Sequence, residues 1–228
     1  SFLATNKAGT EYYAYSESEI SGTTVAYGLF FSTDLVTWTP VPLSGLPNPD
    51  NFSIYEMVID DNRIAYTILG DNATGEAKVY KIVFGSATDI SKIIGTENPY
   101  SITYFNNKIY VYDGNGAIYK SSDGDTWTSA SAPTGGALIV TNNYLFVTGN
   151  SSTGLWLSRD DGNAWQNVGD VPTSGVNFRD IIVNEYDGYA YATLSGSVVR
   201  KSGNKIIPND NAKPQAASLL PALNAINV

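Results

Sequence analysis

The side chains that could do chemistry in this sequence are mainly carboxylates, tyrosines and arginines, because its 228 residues include neither histidine nor cysteine. Without histidine there can be no Ser-His-Asp triad, imidazole proton relay or His-ligated metal site. Without cysteine there can be no thiol nucleophile, disulfide or thiolate metal site. Two carboxylates about 5–10 Å apart around a cleft would suit glycoside hydrolysis, and exposed tyrosines beside polar groups would suit sugar binding.

One small set of residues is a candidate for such a site. Glu56, Tyr100, Arg179 and Asp180 each fall near the start of a strand that an internal repeat places beside the molecular axis. They could form an ion pair at a solvated channel mouth, a binding pocket, or a catalytic pair of Glu56 and Asp180. We favour the ion pair, assign no catalytic residue, and expect neither a metal nor a cofactor.

The elements that must position these residues are indicated by that repeat. Three segments share an apolar stretch, a serine, an aspartate two residues later, a short turn and a tryptophan: residues 29–38, 118–127 and 155–165. Weaker copies surround two further serines. The aligned serines recur at intervals scattered around the 40–50 residues typical of a four-stranded propeller blade, and they are Ser32, Ser86, Ser121, Ser158 and Ser202.

A strand, a polar turn and a second strand precede each copy of the repeat. The first strands of these pairs begin near Phe2, Met57, Ile102, Leu138 and Ile181. Four strands per unit and five units predict an all-β fold, a β-propeller of about five four-stranded blades over residues 1–208. Residues 209–228 belong to no unit and are interpreted as a tail, either a strap, an oligomer contact or a flexible end.

The repeated frame resembles the Asp-box, or BNR, repeat of β-propellers. The matching residues are Ser32, Asp34 and Trp38; Ser121, Asp123 and Trp127; and Ser158, Asp160, Gly162 and Trp165. The resemblance implies a turn between the third and fourth strands of each blade. Within it, we expect the Asp and Ser oxygens to accept hydrogen bonds from turn N–H groups and the Trp to pack against the hairpin. We therefore predict a structural role for these residues.

Propellers with this repeat include sialidases, which the resemblance brings into consideration. Sialidases hold the substrate carboxylate with three arginines, whereas this sequence has four in all: Arg63, Arg159, Arg179 and Arg200. Of these, Arg179 alone falls at the start of an inner strand, and the Arg-Ile-Pro signature of sialidases is missing. We predict that the chain is not an enzyme, with a divergent glycoside hydrolase as the alternative.

Composition restricts the partners. A net charge of −9 and a pI near 4.4, with no run of basic residues, disfavour nucleic acids and anionic membrane surfaces. No stretch approaches 18 apolar residues, so we expect no membrane insertion. A basic leader followed by an apolar segment is not visible at the start.

These observations favour a non-enzymatic propeller that acts as a structural or binding module in a larger assembly. A phage virion or tail is one such assembly, and the partner would be a protein or a glycan. A glycan-binding lectin or adhesin is the alternative. A photosynthetic assembly factor also resembles BNR propellers, but seven blades are usual there. We expect a location in a virion, outside the cell or at the cell surface, and leave a homo-oligomer open.

Overall fold

In the computed structural model, the described part of the chain folds into five antiparallel sheets that follow one another along the sequence. The structure describes residues 2–6, 8–20, 24–41, 52–72, 74–83, 86–96, 98–141, 144–149, 154–169, 178–194 and 198–207. Each sheet is a meander in which consecutive strands are hydrogen-bonded neighbours. We call these sheets blades 1 to 5.

The strands are assigned to the blades in chain order. Blade 1 contains β1 (Phe2–Thr5), β2 (Tyr12–Ile20), β3 (Thr24–Ser32) and β4 (Thr39–Val41). Blade 2 contains β5 (Phe52–Ile59), β6 (Ala65–Asp71), β7 (Ala77–Val83) and β8 (Ser86–Asp89). Helix α1 (Ser91–Ile94) follows, and blade 3 contains β9 (Ser101–Phe105), β10 (Lys108–Tyr112), β11 (Ala117–Ser121) and β12 (Thr128–Ser131). Blade 4 contains β13 (Gly135–Thr141), β14 (Tyr144–Gly149), β15 (Leu155–Ser158) and β16 (Gln166–Gly169), and blade 5 contains β17 (Phe178–Val183), β18 (Ala190–Leu194) and β19 (Val198–Lys201).

The first strands of the blades form the inner layer of the molecule. Each of β5, β9, β13 and β17 packs against the first strand of the blade before it. A cluster of buried apolar side chains fills each of the four boundaries between consecutive blades. The prediction of an all-β propeller with about five blades is confirmed, because repeated four-stranded meanders stack face to face in sequence order.

Stacking also explains why the middle strands read as continuous apolar runs. Six consecutive residues of β6, from Ala65 to Gly70, are buried. A strand in an ordinary half-exposed sheet would alternate between buried and exposed residues, whereas a blade is covered on both faces by its neighbours.

Three details differ from the sequence-based predictions. The sequence aligns Ser86 with the repeat serines, but Ser86 begins β8 and pairs with Val83, whereas Ser32, Ser121 and Ser158 end the third strands of their blades. The inner strand of blade 2 begins at Phe52, before the predicted Met57. In blade 5, the described residues after β19 form no fourth strand, because Gly203 and Asn204 donate instead to the Val168 carbonyl of blade 4.

Helix is rare in the described residues. Helix α1 spans four residues, and Asp89 Oδ1 accepts a hydrogen bond from Ser91 N (3.0 Å) at its start. Within the ranges given above, no helix has the length and apolar character needed to cross a membrane. The predicted tail, residues 209–228, lies outside the described residues.

Candidate functional site

A bulge at the beginning of an inner strand positions the first residue of the candidate site. In β5, the pairing with β6 shifts between Ile54 and Glu56, so Tyr55 has no partner across the ladder. A bulge of this kind re-aims the side chain of the extra residue. The Tyr55 ring lies over Gly70, where a Cβ atom would overlap it, and 56% of Tyr55 is exposed.

Tyr100 stands in a similar position on blade 3. It extends β9 by one residue, because its N–H donates to Tyr112 O (2.8 Å), and its side chain lies against Gly114. Its exposed fraction is 59%. Two exposed tyrosines, each on a glycine of its own blade, thus mark the same end of blades 2 and 3.

Both tyrosines line one cleft of about 740 Å³. This volume is in the range of pockets that hold small molecules. The polar side chains that share the lining with Tyr55 and Tyr100 are Glu56, Asn98, Ser101, Asp113 and Asn115. A second cleft of about 720 Å³ shares Ala77 and Asn98 with the first. We call the first of them the axial cleft, because the beginnings of three inner strands line it.

Glu56 links the inner strands of blades 2 and 3. Its Oε2 atom accepts hydrogen bonds from Ile102 N (2.7 Å) and Ser101 Oγ (2.8 Å). The Ser101 hydroxyl in turn lies within hydrogen-bond distance of Leu138 N (3.2 Å) and Leu138 O (3.3 Å) of blade 4. Burial raises the pKa of the Glu56 carboxyl, and the two hydrogen bonds oppose that rise. The carboxylate therefore belongs to a chain of polar contacts across three blades.

Asp113, the other carboxylate named in the lining, is held by its own turn. Its Oδ1 atom accepts hydrogen bonds from Asn115 N (2.8 Å) and Ala117 N (2.9 Å) between β10 and β11. This is an Asx-type turn, in which the side chain takes the place of a backbone carbonyl. Sequence reasoning did not assign Asp113 to the site, although its position four residues before a strand was a usable signal.

The structure brings together some of the predicted candidates but does not describe all of them. Glu56 and Tyr100 share the axial cleft. Arg179 and Asp180 lie on β17, where the pairing with β18 shifts between Phe178 and Asp180, so Arg179 sits at a bulge as Tyr55 does. The side chains of Arg179 and Asp180 lie outside the described residues. A charged cluster of these two with Glu56 therefore stays a prediction.

Two other arginines, Arg63 and Arg159, have partners within the fold. Arg63 Nε forms an ion pair with Glu11 Oε1 (2.7 Å) that joins blade 2 to blade 1. Arg159 donates to Ile206 O, and its guanidinium lies 5.4 Å from the Tyr144 ring centroid. Neither is placed in the axial cleft by these contacts.

The three repeat hairpins share one pattern of hydrogen bonds, and we call them the Ser–Asp hairpins (residues 32–38, 121–127 and 158–165). In the second, Ser121 Oγ donates to Asp123 Oδ1 (2.9 Å) and accepts from Gly124 N (2.8 Å). Asp123 Oδ1 also accepts from Asp125 N (2.8 Å) and Thr126 N (2.7 Å). These bonds satisfy the turn N–H groups before the chain enters the fourth strand.

The first and third hairpins repeat this arrangement. Asp34 Oδ1 accepts from Thr37 N (2.7 Å) and Val36 N (2.8 Å), and Asp160 Oδ1 accepts from Ala164 N (2.8 Å). Hydrogen bonds from the backbone of Thr37 and Val36 lower the pKa of Asp34 to about 2. Equivalent bonds from Thr126 and Asp125 lower the pKa of Asp123 to about 2. The carboxylates are thus acceptors within their own turns.

The hairpin tryptophans lie in equivalent places. Trp38, Trp127 and Trp165 are half-buried, and each directly precedes the fourth strand of its blade. Trp127 donates to Gly124 O (3.2 Å) and packs on the core between blades 2 and 3, as Trp165 packs on the core between blades 3 and 4. Ser202 also follows a third strand, and its Oγ accepts from Ala190 N (3.1 Å).

Comparisons with known proteins fit this architecture. Residues 32–207 match the family model described as the DUF6242 beta propeller domain. No curated protein sequence matches the chain significantly. Among solved structures, YCF48 from Cyanidioschyzon merolae is similar at 15% identity and a TM-score of 0.55, over 92% of this chain and 70% of that one.

Two further solved structures are similar in fold. Regucalcin, a calcium-binding protein from Agrobacterium tumefaciens, has 11% identity and a TM-score of 0.55 over 93% of this chain and 77% of its own. Hsv2p from Kluyveromyces lactis has 8% identity and a TM-score of 0.53 over 90% of this chain and 63% of its own. At these identities the likeness shows the fold alone.

Proposed function

Because the chain belongs to the DUF6242 β-propeller family, we propose that it is a non-enzymatic binding module whose axial cleft recognises a carbohydrate. The observation that carries this proposal is the pair of exposed rings, Tyr55 and Tyr100, on one polar cleft between blades 2 and 3. Aromatic faces stack on the apolar face of a sugar ring, while amides and carboxylates hydrogen-bond to its hydroxyl groups. Asn98 and Asn115 supply amides in the same lining.

Rigid support for the rings favours binding further. Tyr55 lies on Gly70 and Tyr100 on Gly114, so neighbouring backbone limits how far either ring can turn inward. A preorganised aromatic side chain loses little conformational entropy when it binds.

The carboxylates of the cleft support a binding role better than a catalytic one. A glycosidase needs one carboxyl group to donate a proton and another to act as base or nucleophile. Here Glu56 accepts hydrogen bonds from Ile102 N and Ser101 Oγ, and Asp113 accepts from two N–H groups of its turn. Each carboxylate thus stabilises local structure, which is the basis for proposing that the chain is not an enzyme.

The proposal is tested by screening the full chain on a glycan array and then measuring the affinity for the best glycan. Tyr55→Ala and Tyr100→Ala should each weaken binding by up to about tenfold, because a stacked aromatic contributes roughly 0.5–1.5 kcal/mol beyond its buried area. Tyr186→Ala is the matched control, since Tyr186 is 46% exposed but lies in the turn between β17 and β18. An array without any bound glycan, or equal affinities of all three variants, would contradict the proposal.

A structural role in a larger assembly, such as a phage particle or tail, is the second candidate function. It is favoured by uncovered apolar side chains on the two outermost blades, since Leu3 of blade 1 is 59% exposed and Ile182 of blade 5 is 58% exposed. Protein partners commonly cover such residues. Binding to particles that carry no glycan, unchanged in Tyr55→Ala, would favour this role over sugar recognition.

A further inference from the structure

A tyrosine and a lysine lie opposite each other on the second and third strands of three blades. The pairs are Tyr66 with Lys81 in blade 2, Tyr110 with Lys120 in blade 3, and Tyr191 with Lys201 in blade 5. The three pairs occupy the same position in their blades. Lys120 directly precedes Ser121, the last residue of its strand, and Lys81 and Lys201 directly precede the residues aligned with Ser121, which are Ile82 and Ser202. Such cross-strand neighbours present one joint surface on one face of the sheet.

In blade 2 this pair forms the contact with the Ser–Asp hairpin of the next blade. Tyr66 is fully buried and lies over Gly124, where a Cβ atom would overlap its hydroxyl group. Lys81 Nζ donates to Asp125 Oδ1 (2.7 Å) and Asp123 O (3.3 Å), and its side chain is 14% exposed. A glycine with φ of +74° and the following acidic residue are thus the features of the hairpin that the pair recognises.

Blade 3 contacts blade 4 through a lysine at the same position. Tyr110 is fully buried, and Lys120 Nζ donates to Asp161 O (3.1 Å) and to Asn163 Oδ1. Here Gly162 has φ of +79° and is followed by the amide of Asn163. The lysine contact therefore recurs: in both interfaces Nζ donates to the carbonyl before the hairpin glycine and to the acidic or amide side chain after it. The contact between the tyrosine and the glycine is seen for Tyr66 and Gly124, whereas Gly162 lies against Ile118 and Leu145.

Blade 5 presents its pair to solvent. Ala190 and Ala192 face the core shared with blade 4, so the alternation of β18 turns Tyr191 to the opposite face. Tyr191 is only partly buried and Lys201 is exposed, with its Nζ 3.6 Å from the Tyr189 ring centroid. Ile182 on the same face is 58% exposed. We call Ile182, Tyr191 and Lys201 the outer face of blade 5.

The hairpin of blade 1 does not have the features that this face would recognise. Leu35 and Val36 replace the Gly124 and Asp125 of blade 3, and they are 49% and 82% exposed. A leucine at the glycine position would overlap the tyrosine, and a valine offers the lysine no acceptor. In the described part of the chain, no packing comparable to the other four boundaries joins β17 to β1.

We propose that the outer face of blade 5 docks a further propeller blade whose Ser–Asp hairpin carries glycine followed by an acidic or amide residue. The argument is continuity with the interfaces between blades 2 and 3 and between blades 3 and 4, together with the charge of Lys201. A second copy of this chain would offer Leu35 and Val36 and is therefore disfavoured. No residue of the axial cleft takes part, so this proposal can fail while the sugar-binding proposal stands.

The test converts the hairpin of blade 1 into the proposed ligand in the full chain. The probe is the double variant Leu35→Gly/Val36→Asp, mixed with the wild-type chain in sedimentation velocity and compared with it in thermal melting. The probe should associate with wild-type chains through their outer face of blade 5, or close on its own blade 5 with a higher melting temperature. Lys201→Glu should weaken the association by about tenfold, because a charge-assisted hydrogen bond is lost. If the probe closes on its own blade 5, Lys201→Glu should instead reduce the increase in its melting temperature.

Lys205→Glu is the matched control, since Lys205 also lies near Tyr189 but has no place in the cross-strand pair. It should leave association and melting temperature as in the probe. The proposal is overturned if the probe behaves like the wild type, or if Lys201→Glu and Lys205→Glu have equal effects. Self-association of the wild-type chain that Lys201→Glu abolishes would also overturn it, because a second copy would then be the occupant.

Discussion

Three aspartate side chains accept hydrogen bonds from main-chain N–H groups of their own turns. Asp34, Asp123 and Asp160 each lie two residues after a repeat serine, and each accepts hydrogen bonds from N–H groups of the turn that follows. The serine hydroxyl and the aspartate carboxylate can both accept hydrogen bonds, so the chain can reverse direction within a few residues without leaving N–H donors unpaired. Acidic residues in this pattern therefore add to the net charge while their carboxylates accept hydrogen bonds within their own turns.

Acid should weaken the fold through these three aspartates. Hydrogen bonding lowers the pKa of Asp34 and Asp123 from 3.8 to about 2, and the pKa of Asp160 is also lowered. A lowered folded-state pKa means that the stabilisation is complete above the unfolded value and is lost as the pH falls from 3.8 through about 2. The raised pKa of Glu56 acts in the opposite direction, since its cost is relieved as the carboxyl is protonated.

We therefore expect the melting temperature of the wild-type chain to drop between pH 4 and pH 2. The variant Asp34→Asn/Asp123→Asn/Asp160→Asn keeps the accepting oxygen but cannot titrate, so its drop should be smaller. Differential scanning calorimetry at several pH values checks this. Parallel curves for the two proteins would show that other carboxyl groups cause the acid sensitivity.

Much of the residue-level arrangement could be predicted from spacing. Serine, aspartate and tryptophan at nearly constant intervals predicted where Ser32, Ser121 and Ser158 end their strands. The alignment of Ser86 was wrong because this serine has no aspartate two residues later and no tryptophan to fix the register. Ile82 holds the aligned position instead, since it pairs with Ala65 as Ser121 pairs with Ile109, and Ser86 lies four residues beyond it. One serine in a Ser-rich sequence carries too little information.

At the scale of strands, the contacts between blades depend on a few polar residues within apolar surfaces. Tyr104 Oη donates to Asp61 Oδ2 (3.0 Å), and Lys108 forms an ion pair with Asp161 (2.5 Å). The pairing of β5 with β6 and the place of the bulge at Tyr55 could not be predicted from alternation, because β5 reads as a mixed strand without a clean period. The partners of Glu56 could not be predicted for a different reason, because they belong to the next blade.

Glu56 provides a test of how one such residue joins two blades. Glu56→Ala leaves Ile102 N and Ser101 Oγ without this acceptor, so the free energy of unfolding should fall by about 1–3 kcal/mol. Glu56→Gln retains an accepting oxygen and should cost less than half as much. Urea denaturation of the three proteins gives these differences, and equal losses in both variants would show that the hydrogen bonds contribute little.

At the scale of the whole molecule, the repeat predicted the number of blades but not how the outermost ones are covered. Met57, Ile102, Leu138 and Ile181 hold the same place in their inner strands and are at most 4% exposed. Leu3 holds that place in blade 1 and is 59% exposed. A sequence repeat describes each unit and its boundary with the next, so the exposure of the outermost faces emerges only when the blades are placed in space.

This difference in cover predicts a gradient of local stability along the chain. Each middle blade is packed on both faces, whereas blades 1 and 5, in the described residues, have packing of this extent with one neighbour each. In a stack with nearest-neighbour coupling, an end unit opens at the cost of one interface, but a middle unit can open only at the cost of two. Ile109 of β10 is 1% exposed, while Tyr12, its counterpart in β2, is only half-buried.

Hydrogen exchange followed by mass spectrometry should therefore be slowest in peptides covering β10 and faster by about tenfold or more in those covering β2 and β18. Comparing second strands is a matched measurement, because each is hydrogen-bonded on both sides within its own blade. Equal protection in all three would mean that blades 1 and 5 have a second neighbour in solution. Such a result would point to closure of the ring within one chain, and it would contradict the uncovered faces from which the docking of a further blade is inferred.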